Sequence, residues 1–142
     1  MKTVSNVKGN MRAAAGTAVI LVLLGFVAGV YAQPAAFKRT IVQQVDISVP
    51  GREAVTAVAE FPPGASPGRH THPGDEIGYI LEGTVVVEQD GQPKLTRTAG
   101  QAFHIPAGTI HTATNTGTGT ARILATYVVE KGKPLATPAP AK

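Results

Sequence analysis

The sequence predicts an all-β barrel or sandwich that follows an N-terminal export signal. Three observations carry this. From Thr40 onward, short apolar runs alternate with turn signals rich in glycine, proline and aspartate, spaced about 8 to 12 residues apart. No segment after residue 40 has a helical apolar period. The first 32 residues differ in kind, with a basic start and then a charge-free apolar run.

Lys2, Lys8 and Arg12 form the basic start, and Ala13 to Ala32 is rich in Val, Leu, Ile, Ala and Gly. Val30-Tyr31-Ala32 offers small residues at the −3 and −1 positions of a cleavage site. Residues 1–32 therefore read as a signal peptide, with Gln33 as the new N-terminus. The competing reading is an uncleaved anchor, because the run nearly reaches the ~20 residues that span a bilayer. Both readings place the globular part outside the cytoplasm, periplasmic or secreted, and membrane association follows only if the segment is uncleaved.

The strands follow in order. Ile41-Val42 and Val45 to Ile47 make a short pair or one bent strand. In Ala54 to Phe61, residues Val55, Ala57, Ala59 and Phe61 share a face, and Pro62-Pro63-Gly64 ends the run. Ile77 to Leu81 and Thr84 to Gln89 flank a tight turn at Glu82-Gly83. Asp90-Gly91 is a hairpin signal before Leu95 to Arg97. Ala102 to Ile105, Ile110 to Ala113 and Arg122 to Val129 complete the set. Residues 33–130 suffice for one domain with a core. The tail, residues 131–142, carries three prolines and little to bury. It is expected to be disordered or extended.

Charge narrows the partners. The chain is formally +4, with thirteen basic and nine acidic residues. Three of the basic residues lie in the leader, which leaves ten against nine. That balance gives no reason to invoke nucleic acid. The chain has no cysteine, so disulfide staples are excluded.

Candidate chemistry is concentrated in two segments. In the first, His70 and His72 are two apart, so an extended chain turns both to one side, whereas a helix would splay them. Pro67, Gly68, Pro73 and Gly74 argue against a helix there. Glu76 follows the Pro73-Gly74 turn, which can fold its carboxylate toward the imidazoles. His111 must arrive from a distant strand. Three imidazoles and one carboxylate suit a divalent transition metal, Fe or Mn first and Zn or Ni next, and not a thiolate-type site. On an octahedral ion they would leave about two positions for a substrate or dioxygen. Unrelated surface histidines are the alternative reading of the spacing alone.

The same segments resemble the two characteristic motifs of the cupin superfamily. The first runs through Gly64, His70, His72, Glu76 and Gly83, the second through Gly100, Pro106, Gly108, His111 and Asn115. The resemblance covers roughly residues 40 to 130 and resembles most the small, exported, single-domain bacterial members. It implies a double-stranded β-helix, a jelly-roll barrel, with His70, His72, Glu76 and His111 as metal ligands and Asn115 as a structural residue. The family holds dioxygenases, oxalate-degrading enzymes, isomerases, storage proteins and sugar-sensing domains, so the resemblance does not set a reaction.

Around the site, His104 is read as a neighbouring acid/base or a barrel histidine. Tyr79, Phe103 and Tyr127 are read as cavity-lining or core residues, and Arg69 as a candidate for an anionic substrate that strand alternation turns away from His70. Asp75 and Glu82 are read as solvated turn residues. Two functions remain open. One is an exported metalloenzyme of oxygenase, lyase or isomerase type acting on a small organic molecule. The other is a non-catalytic module that binds a metal or small ligand. Unpaired N-terminal strands make a homodimer the expected assembly.

Overall fold

The computed structural model describes residues 36–140, and among them it holds ten strands and no helix. The expected leader, residues 1–32, lies outside the described residues. The strands are β1 (Lys38–Asp46), β2 (Arg52–Phe61), β3 (His70–Thr71), β4 (Gly74–Glu82), β5 (Thr84–Gln89), β6 (Leu95–Thr98), β7 (Ala102–Ile105), β8 (His111–Asn115), β9 (Ala121–Glu130) and β10 (Thr137–Pro138). They form two five-stranded sheets, ordered β1-β2-β9-β4-β7 and β10-β3-β8-β5-β6, with antiparallel pairing throughout.

Alternation sets which face is buried. In β2, Val55, Ala57, Ala59 and Phe61 are buried while their neighbours are half-exposed. The strand pairs with β9 from Arg52↔Glu130 to Phe61↔Ala121, and β9 buries Ile123, Ala125, Tyr127 and Val129 on the same side. A slip of one residue would turn both rows to solvent, so burial fixes the register. Val85, Val87 and Ala113 of the second sheet complete a single core with these rows.

β1 is one bent strand, with a register shift between Ile41 and Gln43. It forms a free edge of the first sheet and exposes Ile41, Val42 and Val45. The Glu82-Gly83 turn is not a hairpin. It carries the chain from β4 in the first sheet to β5 in the second. Gly83 has φ +80°, and a Cβ there would stand 2.8 Å from Ala121 Cα, so both conformation and space require glycine. Asp90-Gly91 does close a hairpin between β5 and β6. Asn115 is fully buried. Its Nδ2 donates to Phe61 O and Gly119 O at 2.7 Å each, and its Oδ1 accepts from Gly117 N at 2.8 Å. It ties the end of β2 to the turn between β8 and β9, the structural role the motif implies.

Of the two expectations for the tail, disordered or extended, the structure shows the extended one over its described residues. Thr137–Pro138 pair with β3 at Thr71 and His70. Ala139 N donates to Arg69 O at 2.9 Å, Arg69 Nε donates to Pro140 O at 3.0 Å, and Leu135 packs against the core. Proline content hid this, because prolines are tolerated on an edge strand and Pro138 ends one.

Candidate metal centre

Both sheets contribute to one cluster. His70 lies on β3 and stands in register with His111 of β8. His72 follows β3 directly, and its carbonyl accepts from Gly108 N at 3.0 Å, which ties the two motif loops together. Glu76 comes from β4 of the other sheet, between Ile105 and Tyr127. The four residues are buried, and one ligand atom from each lies within 4.8 Å of the others. The three imidazole ring centroids are 4.4 to 5.0 Å apart.

Hydrogen bonds set the tautomers. Nδ1 of His70 meets Gly68 O at 2.9 Å, Nδ1 of His111 meets Thr109 O at 2.9 Å, and Nδ1 of His72 meets Leu135 O at 2.5 Å. A carbonyl only accepts, so each Nδ1 carries the proton and each neutral ring offers a lone pair at Nε2. Two of these nitrogens face Glu76 Oε2, His72 Nε2 at 3.0 Å and His111 Nε2 at 3.1 Å. A neutral Nε2 and a carboxylate oxygen are both acceptors, so either a proton, as in the His111–Glu76 hydrogen bond, or a metal ion has to lie between them. His72 Nε2 is buried and lacks the alignment of a hydrogen bond despite its short distance to the carboxylate. This donor set fits a divalent ion, with each ring oriented by a backbone acceptor as metal-ligating histidines usually are.

The charges agree with that fit. Burial pushes His70 down to about 4, against the pull of its bond to Gly68, and His111, His72 and Arg39 add to the shift. It is neutral at neutral pH, as a candidate ligand needs to be. Burial pushes Glu76 up, but hydrogen bonding from His111 and then His72 outweighs burial and holds it at about 2, which applies while a proton and not an ion fills the gap. Burial, and then the Glu76 charge, raise the Tyr127 hydroxyl, so it stays protonated.

A cavity of about 350 Å³, counting its solvent-facing mouth, opens beside the cluster. Phe61, Val87, Phe103, Ile123 and Tyr127 line its apolar part, with Arg39 as its cation. Two expected lining residues, Phe103 and Tyr127, are therefore present. Tyr79 is 46% exposed and is not among the lining residues.

His104 does not belong to the site. It alternates outward on β7, is exposed, and meets Asp75 Oδ1 at 2.8 Å on the outer face of the first sheet. Asp75 is accordingly a strand residue with a partner and not a turn residue. Arg69 is held by both oxygens of Asp90 at 3.0 and 2.6 Å and does not reach the cavity. Two contributors went unread in the sequence, Arg39 and the Leu135 carbonyl. Arg39 pairs with Ala59, whose inward face was legible, but the pairing itself was not. A backbone carbonyl leaves no residue-type signal at all.

Comparison with known proteins agrees with the geometry. A family model described as a cupin domain matches residues 57–127. The chain is 35% identical over 79 residues to the HTH-type transcriptional regulator PuuR of Escherichia coli (strain K12), covering 55% of this chain and 42% of the regulator. It thus spans less than half the length of that relative. Among solved structures, a Klebsiella pneumoniae protein with a double-stranded β-helix domain superposes with a TM-score of 0.60 at 18% identity, covering 75% of this chain and 90% of that one. KdgF from Halomonas sp. superposes with a TM-score of 0.53 at 27% identity, covering 67% and 81%.

Proposed function

The chain belongs to the cupin family, and from that premise we propose that it is an exported metal-dependent enzyme acting on a small organic molecule. Its chemistry is of oxygenase or of lyase/isomerase type. One observation carries this reading: His70, His72, Glu76 and His111 converge while every imidazole Nδ1 is already spent on a backbone carbonyl. The ion of this reading is Fe(II) or Mn(II), which oxygenase-type chemistry needs, with Zn(II) or Ni(II) next for lyase or isomerase chemistry; imidazole and carboxylate donors accept all four.

Such an ion, when bound, supplies a Lewis acid for a substrate oxygen and, for Fe or Mn, electrons for dioxygen. The chain's own residues orient and insulate. The Nδ1–H bonds hold the rings with their lone pairs inward. The Glu76 carboxylate offsets part of the ion's charge. Phe61, Val87, Phe103 and Ile123 keep the space beside the ligands apolar. Tyr127 stacks against His72 with ring centroids 4.6 Å apart and presents a protonated hydroxyl beside Glu76.

The likeness to part of a transcriptional regulator favours a second reading, a module that captures a small ligand without turnover. Metal analysis and activity screens separate the two. The wild-type protein is expected to hold close to one equivalent of metal and to consume oxygen, or convert substrate, with members of a panel of organic acids and phenols. His72→Ala and His111→Ala should lose both metal and turnover, and His104→Ala should keep both. Full metal content in His72→Ala would remove the assignment. Ligand-dependent thermal stabilisation with no turnover would favour the binding module.

A further inference from the structure

Arg39 is the cation of the cavity, where its guanidinium interacts with the Tyr127 hydroxyl. It lies on β1 in register with Ala59, on the inward face, and it lines the cavity together with His70, Glu76 and His111. Its guanidinium carbon stands 5.4 Å from the ring centres of both Phe37 and Tyr127. Tyr127 in turn stacks on His72, so one ring separates the cation from a metal ligand. The Arg39 Nε is buried and has no hydrogen-bond partner. No carboxylate among the described residues pairs with Arg39 within 4 Å.

The other described arginines are engaged differently. Arg69 grips Asp90, Arg52 donates to Pro73 O and Arg97 donates to the carbonyls of Ala102 and Thr96, whereas Arg122 Nε also lacks a hydrogen-bond partner but stands 3.8 Å from the Glu60 carboxylate. None of them lines the cavity. A guanidinium that faces two aromatic rings and leaves a buried donor unmatched carries a desolvation cost that an anion would relieve. Its planar fork matches a carboxylate in particular. The aromatic faces hold the group in place, so little freedom is lost when a ligand arrives.

We propose that Arg39 is the specificity-determining residue of this site and that the substrate is a small carboxylic acid carrying a second oxygen donor. The carboxylate pairs with Arg39, and the second oxygen, a hydroxyl, carbonyl or further carboxylate, turns to the three-histidine, one-glutamate cluster. This deepens the enzyme reading above and rests on it, since the second oxygen needs an ion to meet.

The test uses the protein loaded with Zn(II), which is redox-inert, so that binding is read without turnover. Metal stoichiometry is measured first. Calorimetric titration then compares glycolate, lactate and oxalate with the neutral ethylene glycol, for wild type, Arg39→Gln and Arg39→Lys. The acids should bind wild type roughly ten- to a hundred-fold more tightly than the diol. Arg39→Gln should lose that preference with one equivalent of Zn(II) still bound, and Arg39→Lys should keep part of it. Equal acid affinity in wild type and Arg39→Gln, with metal intact in both, would overturn the role of Arg39 and leave the metal site standing. Failure of wild type to bind any metal would overturn both readings together. Loss of metal in Arg39→Gln with full acid preference in Arg39→Lys would still support a charge-based role. Loss of metal in both variants would reduce Arg39 to a structural residue and overturn it.

Discussion

A chain that ends at Lys133 should lose metal affinity although every ligand remains. The deletion removes the Leu135 carbonyl, which accepts from His72 Nδ1 at 2.5 Å, and the Ala139 N–H, which donates to Arg69 O at 2.9 Å. It also removes the β10 pairing that covers His70 and Thr71. Those two hydrogen bonds at about 1 kcal/mol each, with the partial burial of Leu135, put the loss of fold stability at about 3 kcal/mol. For a domain of this size that lowers the melting temperature by roughly 10 to 20 °C. The effect on the metal is separate. Without its acceptor the His72 ring is free to change tautomer and to rotate, and loss of such a partner costs roughly 10- to 100-fold in affinity. Competition with a chelator of known affinity measures the metal term, and a thermal melt of the metal-free protein measures the other. A chain ending at Pro140 keeps all these contacts and is the control. A Kd within about two-fold of the full chain would refute the reasoning. It would mean that the tail lies on the barrel without orienting the ligand.

Two further predictions follow from packing and charge. In Gly74→Ala the added Cβ would stand 2.0 Å from Val128 O, a backbone atom that cannot move without opening the β4–β9 ladder, so urea unfolding should show a loss of about 3 kcal/mol. A loss below about 1 kcal/mol would mean that the ladder relaxes easily. In the metal-free protein, His70 is held at about 4 against an ordinary 6.5. The unfolded chain therefore takes up a proton between those values that the folded chain refuses, and stability falls as pH drops from 6.5 toward 4, by at most about 3 kcal/mol. The Glu76 contribution has its own window, present above 4.5 and lost as pH falls toward 2. Urea midpoints between pH 7 and pH 4 check the first window, and His70→Asn should flatten the slope. An unchanged slope in that variant would assign the acid sensitivity elsewhere.

Sequence alone was informative wherever a rule is local. Alternation in Val55, Ala57, Ala59 and Phe61 marked a buried strand face because side chains on a strand repeat every two residues. Asp90-Gly91 marked a hairpin because that pair suits its tight turn. His70, His72, Glu76 and His111 were legible as a candidate cluster because their residue types suit a metal ion and the family resemblance named all four, and the fold brings them together.

Tertiary structure decided what depends on pairing between distant segments. His104 looked like a neighbour of the site in sequence, yet strand alternation turned it outward onto Asp75. Arg39 went unread in the sequence, and only its register with Ala59 put it in the cavity. The tail was expected to be disordered or extended because its composition has little to bury, and an existing sheet edge gave its extended backbone partners. Composition reports what a segment can bury by itself, whereas an edge strand draws its order from hydrogen-bonding groups that another part of the chain presents.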